Sequence, residues 1–180
     1  LCKFSEKIAF LGKFSTIKAL FCLAIFMDFQ YKNDTVMITS EKKTLTFSPE
    51  KVEVDGLLID CAGEYEKSGF LVYLRKYDDY LYYHFRVEGY WMGYIPNLPT
   101  EMDADTIDFL GQLDVLVAPI GKKDQKLLDV IEPRLLVAYG PAACEMPQTL
   151  GYSCELVSSY RFRAGDLSDE KMGLVVLADV

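Results

Sequence analysis

Three groups of side chains have types and spacings that could do chemistry. Asp60, Glu64 and Glu66 bracket Tyr65 in one short segment. Such carboxylates can work as general acid and general base when their surroundings push their pKa values apart. Read structurally, the same segment is a turn, with Gly63 and Gly69 permitting its backbone geometry. The second group is the thiols: Cys61 and Cys144 could be nucleophiles only beside a base, and the single histidine, His84, lies in a different, tyrosine-rich segment. The third comprises Asp78-Asp79 and Asp103-x-Asp105-x-x-Asp108, carboxylate clusters of a kind that hard divalent cations accept. They lack EF-hand spacing, and charge runs of this sort are usually solvated turns or helix starts.

The counts narrow these options. With one histidine, and with Cys2, Cys22, Cys61, Cys144 and Cys154 never spaced as Cys-x-x-Cys, a zinc site of the usual His/Cys composition is not expected. The odd, scattered thiols fit reduced cysteines better than a disulfide framework, so the cytoplasm is the expected compartment. Lys plus Arg number 19 against 27 for Asp plus Glu, and a net charge of -8 disfavours a nucleic-acid partner. The longest apolar run, residues 19–27, ends at Asp28, far short of the ~20 residues that span a bilayer. Four lysines precede it, but no small-residue cleavage site follows, so neither a membrane span nor a signal peptide is expected.

These side chains must be positioned by elements that the patterning reveals in outline. Residues 7–12 read as a short strand, and residues 16–29 as buried strand or helix. Strands follow at 34–39, 44–47, 52–54 and 57–59. Residues 69–74 and 80–87 form a hairpin, and Glu88-Gly89 turns the chain into a strand at 90–95. After Pro99 the texture changes. A short helix is expected over 106–110, a buried strand over 114–119, and a helix over 123–131 that carries Leu127, Leu128 and Ile131 on one face and stops before Pro133. Buried strands at 135–139 and 174–177 complete the list. Strands first, then strand and helix in alternation, without repeat or linker, describe one α/β domain over residues 1–180.

Several segments together resemble the metallo-β-lactamase fold, in particular its small bacterial β-lactamase-like branch. Residues 59–69, Ile-Asp-Cys-Ala-Gly-Glu-Tyr-Glu-Lys-Ser-Gly, are similar to that branch's Gly-Pro-Gly-Glu-Tyr-Glu-x-x-Gly. Residues 85–89, Phe-Arg-Val-Glu-Gly, resemble the strand and turn leading to its Leu-Gly-Asp-Leu. Residues 113–121, Leu-Asp-Val-Leu-Val-Ala-Pro-Ile-Gly, are close to Val-Asp-Val-Leu-Leu-Ile-Pro-Val-Gly, and 131–137, Ile-Glu-Pro-Arg-Leu-Leu-Val, to Ile-Glu-Pro-Lys-Ile-Val-Ile. Residues 7–12 resemble the opening strand, and 34–39 the strand before the metal motif. The resemblance implies a four-layer αββα sandwich.

It also implies a zinc hydrolase, and there the residues depart. The ligands of His-x-His-x-Asp-His fall on Ser40, Lys42, Thr44 and Leu45; the bridging aspartate falls on Asn97 and the final histidine on Gly140. None of these holds zinc well. The expectation is a pseudoenzyme without metal or cofactor, acting by self-association or as a subunit of a protein assembly. Candidate interface aromatics are Tyr73, Tyr77, Tyr80, Tyr82, Tyr90, Trp91 and Tyr94, with about half of the hairpin's aromatics expected in the core. The alternative is a metal-independent acid/base site around Asp60, Glu64 and Glu66.

Overall fold

A computed structural model describes residues 26–48, 51–77, 79–145 and 156–179. The first sheet contains β1 (Met27–Lys32), β2 (Thr35–Ser40), β3 (Lys43–Phe47), β4 (Val52–Val54) and β5 (Leu57–Ile59) as an antiparallel meander. Further along the chain, β13 (Ser159–Phe162) pairs with β1 at its edge. The second sheet has the order β12-β14-β11-β10-β9-β8-β7-β6, from β12 (Leu156–Val157), β14 (Gly173–Leu177), β11 (Leu135–Tyr139), β10 (Val115–Ala118), β9 (Tyr90–Tyr94), β8 (Tyr80–Val87), β7 (Phe70–Tyr77) and β6 (Gly63–Lys67). Its β6–β9 half is antiparallel, while β9, β10, β11 and β14 run parallel.

Tight turns set the antiparallel registers. Asn33-Asp34, Asp55-Gly56, Ser68-Gly69 and Glu88-Gly89 are two-residue loops with both residues at positive φ. That geometry matches the twist of the strands they join, and Gly, Asn and Asp reach it at low steric cost. Alternation then divides the side chains between faces. Phe29, Ile38, Leu45, Phe47, Val72, Phe85, Met92, Val115 and Val137 fill the space between the sheets. Leu116, Ala118, Leu136, Ala138 and Val176 point to the opposite face of the second sheet, where Leu110, Leu128 and Ile131 cover them. Strands buried on both faces read as unbroken apolar runs, which explains the texture of 115–118 and 135–139.

Two helices supply that cover. Helix α1 (Ala104–Leu110) is capped by Asp103, whose Oδ1 accepts from the Thr106 backbone N–H at 2.7 Å; hydrogen bonding from the Thr106 side chain, then from its backbone, holds the Asp103 carboxyl below its ordinary value. Helix α2 (Gln125–Ile131) ends at Glu132 in the left-handed region, directly before Pro133. Gly93, in β9, lets the interhelical layer approach the sheet: a Cβ there would lie 2.6 Å from Leu113 Cδ1.

The described residues therefore form three layers, two sheets and one helix layer, in a mixed α/β fold. The outer face of the first sheet presents Gln30, Lys32, Thr39, Thr46 and Glu53, and no described helix lies on it. Residues 59–69 are also not simply a turn. The stretch after Ala62 is β6, the edge strand of the second sheet, because Gly63–Lys67 pairs residue by residue with β7. Strands β12 and β13 were not expected from the pattern; both are short edge strands, and β13 carries one fully buried residue, Phe162. The expected strand at 7–12, and the stretch before residue 26, lie outside the described residues.

Candidate functional site

In open sheets with parallel strands, ligands bind beyond the carboxyl ends of those strands. Here Asn97 follows β9, Gly121 follows β10, and Gly140, with φ 83°, follows β11. The first sheet meets this end through the Asn33-Asp34 turn and the carboxyl end of β3: the Asn33 N–H donates to Asp179 Oδ2 at 2.9 Å, and Phe47 stacks on Tyr94 with ring centroids 4.0 Å apart. Tyr31 packs on Tyr139 at 5.2 Å, and Tyr139 lies parallel to Tyr94 at 6.2 Å. Aromatic rings thus fill the space between the sheets just beneath this end.

The polar atoms there are tyrosine hydroxyls and two carboxylates. Tyr139 OH donates to Tyr94 OH at 3.2 Å inside the protein, and Tyr31 OH donates to Asp34 Oδ1 at 2.9 Å. Burial pushes the Tyr31 phenol up to about 12, with the Asp34 carboxylate adding to the effect. Burial raises Tyr139 further, helped by Tyr94, and raises Tyr94 itself against the opposing bond from Tyr139. These phenols are neutral hydrogen-bonding groups. Among the described residues no three His, Cys, Asp or Glu side chains gather as a ligand set. The donor chemistry at this end, protonated phenols with the exposed Asp34 and Asp179, does not fit a catalytic zinc ion, which takes imidazole, thiolate and carboxylate ligands in a compact shell.

The six positions on which the resemblance puts metal ligands do not come together in the structure. Asn97 and Gly140 lie at the carboxyl end of the parallel strands. Ser40 lies at the opposite end, where its buried hydroxyl donates to Glu88 Oε1 at 2.8 Å in the turn that starts β9. Lys42 is exposed in the β2–β3 turn, and Thr44 and Leu45 point to opposite faces of β3, Leu45 into the core. Strand pairing of 35–40 with 43–47 dictates this, because a hairpin carries its two arms away from its turn.

The alternative acid/base group is solvated. Asp60, Glu64 and Glu66 are all exposed. Glu64 bonds Tyr73 across the β6–β7 pair, and burial followed by Glu64 raises the Tyr73 phenol. Asp60 Oδ1 accepts from the Cys61 thiol at 3.1 Å, which holds that thiol above its ordinary value and protonated rather than activated. Neither of two surface clefts, of 570 and 760 Å³, includes any of these groups. The first lies between the 98–102 loop and α2, the second between α2 and the 168–172 loop.

The aromatic candidates divide by strand face. Tyr82 and Tyr94 are 3% and 4% exposed, so neither offers interface surface: Tyr82 lies under the helix layer and Tyr94 between the sheets. Tyr90 also turns inward, edge-on to Phe162 at 5.0 Å. Tyr80 is exposed at the β7–β8 turn, and Tyr77 is half-buried with its hydroxyl donating to the Asp105 carbonyl at 2.9 Å. Tyr73 and Trp91 stand half-buried on the outer face of the second sheet with His84. Burial lowers the His84 pKa, although the ring bonds to the Phe109 backbone, and Nε2 has no protein partner. Its alternation with Tyr83 and Phe85 was the available signal.

Comparison with known proteins agrees with this fold. The chain resembles a crystal structure from Thermotoga maritima, described as a candidate Zn-dependent hydrolase of the metallo-β-lactamase superfamily. Identity is 16% and the TM-score 0.64, over 86% of this chain and 100% of the other, a likeness of fold. No curated protein matches the sequence. The family model described as the β-lactamase superfamily domain matches residues 26–138, starting one residue before β1 and leaving the 7–12 segment outside. By that match over more than half its length, on two packed sheets with helices against one of them, the chain belongs to the β-lactamase superfamily domain family.

Proposed function

We propose that this chain is a metal-free member of the superfamily, one domain over residues 1–180, that works by binding rather than hydrolysis, through self-association or as a subunit of a protein assembly. One observation carries the reading. The carboxyl end of the parallel strands, where Asn97 and Gly140 stand at former ligand positions, is backed by the Tyr31–Tyr139–Tyr94–Phe47 stack instead of imidazoles. Such a stack contributes through burial and ring packing, and its neutral phenols supply no zinc ligand. Three described layers and the likeness to the Thermotoga maritima fold support the four-layer αββα arrangement as the architecture of the whole chain. The fourth layer would lie over the outer face of the first sheet.

The test is a native-mass measurement of the full chain, combined with elemental analysis after dialysis at pH 7. We expect well under 0.1 equivalent of zinc, manganese or iron per chain, and a mass above that of one chain, from a second copy or a co-purifying protein. Stoichiometric metal together with hydrolysis of ester, lactam or phosphoester probes would overturn the reading.

A further inference from the structure

The helix layer does not cover the whole second sheet. Alternation puts Glu64 and Glu66 of β6, Leu71, Tyr73 and Arg75 of β7, His84 and Arg86 of β8, and Trp91 of β9 on the face that carries α1. Phe109 of α1 reaches only part of this face, 6.1 Å from His84 and 5.0 Å beneath the Arg75 guanidinium. Beyond it the aromatic surface is open. Tyr73, His84 and Trp91 sit 4.5 to 6.3 Å apart, and Arg86 stands 5.4 Å over the Trp91 ring. Trp91 is held from below, because its backbone N–H donates to Asp114 Oδ2 at 2.9 Å and Asp114 pairs with Arg134 at 3.0 Å. Rigid aromatic surface with arginine beside it has the composition of a binding hot spot.

The charges on this face identify the partner. Register places Glu66, Leu71 and Arg86 in one row across β6, β7 and β8. Both end residues of the row are exposed. A two-fold axis lying along β7 brings Leu71 against Leu71 of a second copy, sets Glu66 against the partner's Arg86, and repeats the pair on the other side. Within this row an acidic and a basic residue flank an apolar one, a self-complementary pattern as an isologous interface requires, while Arg75, farther along β7, is laid over the Phe109 ring. We infer that the outer face of β6–β8, with Trp91 at its margin, binds a second copy of this chain.

This inference rests on the self-association branch of the proposed function, and sedimentation equilibrium on the full chain separates the two. We expect wild type to be dimeric. Glu66→Arg and Arg86→Glu should each weaken the dimer ~30-fold or more, since each sets like charges against one another, and the double variant should restore it. Trp91 is the sole tryptophan, so its emission should shift to the blue with concentration in wild type and not in Arg86→Glu. Single variants that dimerise as tightly as wild type would overturn this surface and leave self-association standing. A wild-type protein that stays monomeric, or assembles only with a different chain, would overturn the inference together with that branch.

Discussion

At the scale of single residues, the carboxyl end of the parallel strands is backed by phenols held in their neutral form. Tyr31, Tyr94 and Tyr139 all have raised phenol pKa values, with burial the leading cause. A folded pKa of about 12 for Tyr31, against 10.0 ordinarily, means that the unfolded chain releases this proton first as pH rises. Stability is therefore full below about pH 10 and falls between 10 and 12. We expect absorbance near 295 nm to show these tyrosines ionising only as the fold opens, in one cooperative step with circular dichroism. His84 has the opposite pH window. Its folded pKa lies below 6.5, so as pH falls through 6.5 the unfolded chain takes up a proton that the folded chain resists, and stability declines. Tyr73, Trp91 and Phe109 surround the ring and provide no charge to offset this. The urea midpoint of wild type should drop from pH 7.5 to 5.5, and His84→Gln should flatten that slope.

At the scale of elements, turn chemistry and close packing decide which strands align. Asp55-Gly56 and Glu88-Gly89 follow rules that can be read from residue type, and the strands they join fall within a residue or two of expectation. Asp103 capping α1, and Pro133 following α2, are equally legible. Strand β6 was harder. Its Gly-Glu-Tyr-Glu-Lys composition reads as a polar turn, and only pairing with β7 turns it into an edge strand whose charges suit an exposed edge. Gly93 shows a constraint invisible in the pattern. Leu113 fills the space a side chain at 93 would need and is itself 3% exposed, so it has little room to move. Gly93→Ala should destabilise the protein by about 1–3 kcal/mol, measured as a shift in urea midpoint with unchanged m-value.

At the scale of the whole molecule, the two sheets make different surfaces. The first sheet carries polar residues on its outer face, while the second buries one part of its outer face under α1 and α2 and leaves the β6–β8 part open. No helix of the described residues is long and apolar enough to cross a membrane. A ligand that binds the native state raises its melting temperature by mass action. We expect a hundredfold excess of zinc over protein to leave the melting temperature of this chain unchanged within a degree, as followed by scanning calorimetry. A rise of several degrees would point to a ligand set that the described residues do not provide.

By itself the sequence determined the fold family, most strand positions and the poverty of imidazole, since periodicity, turn residues and a count of one histidine are local properties. It could not determine which residues meet. Ser40 and Asn97, paired on paper as members of one site, stand at opposite ends of the sandwich because β2 and β3 close a hairpin whose turn points away from the carboxyl ends of β9 and β11. Tyr94 and Trp91, three residues apart, face opposite sides of one strand, one in the core and one on open surface. Both outcomes follow from strand pairing, a contact between distant residues that fixes every side chain's face at once.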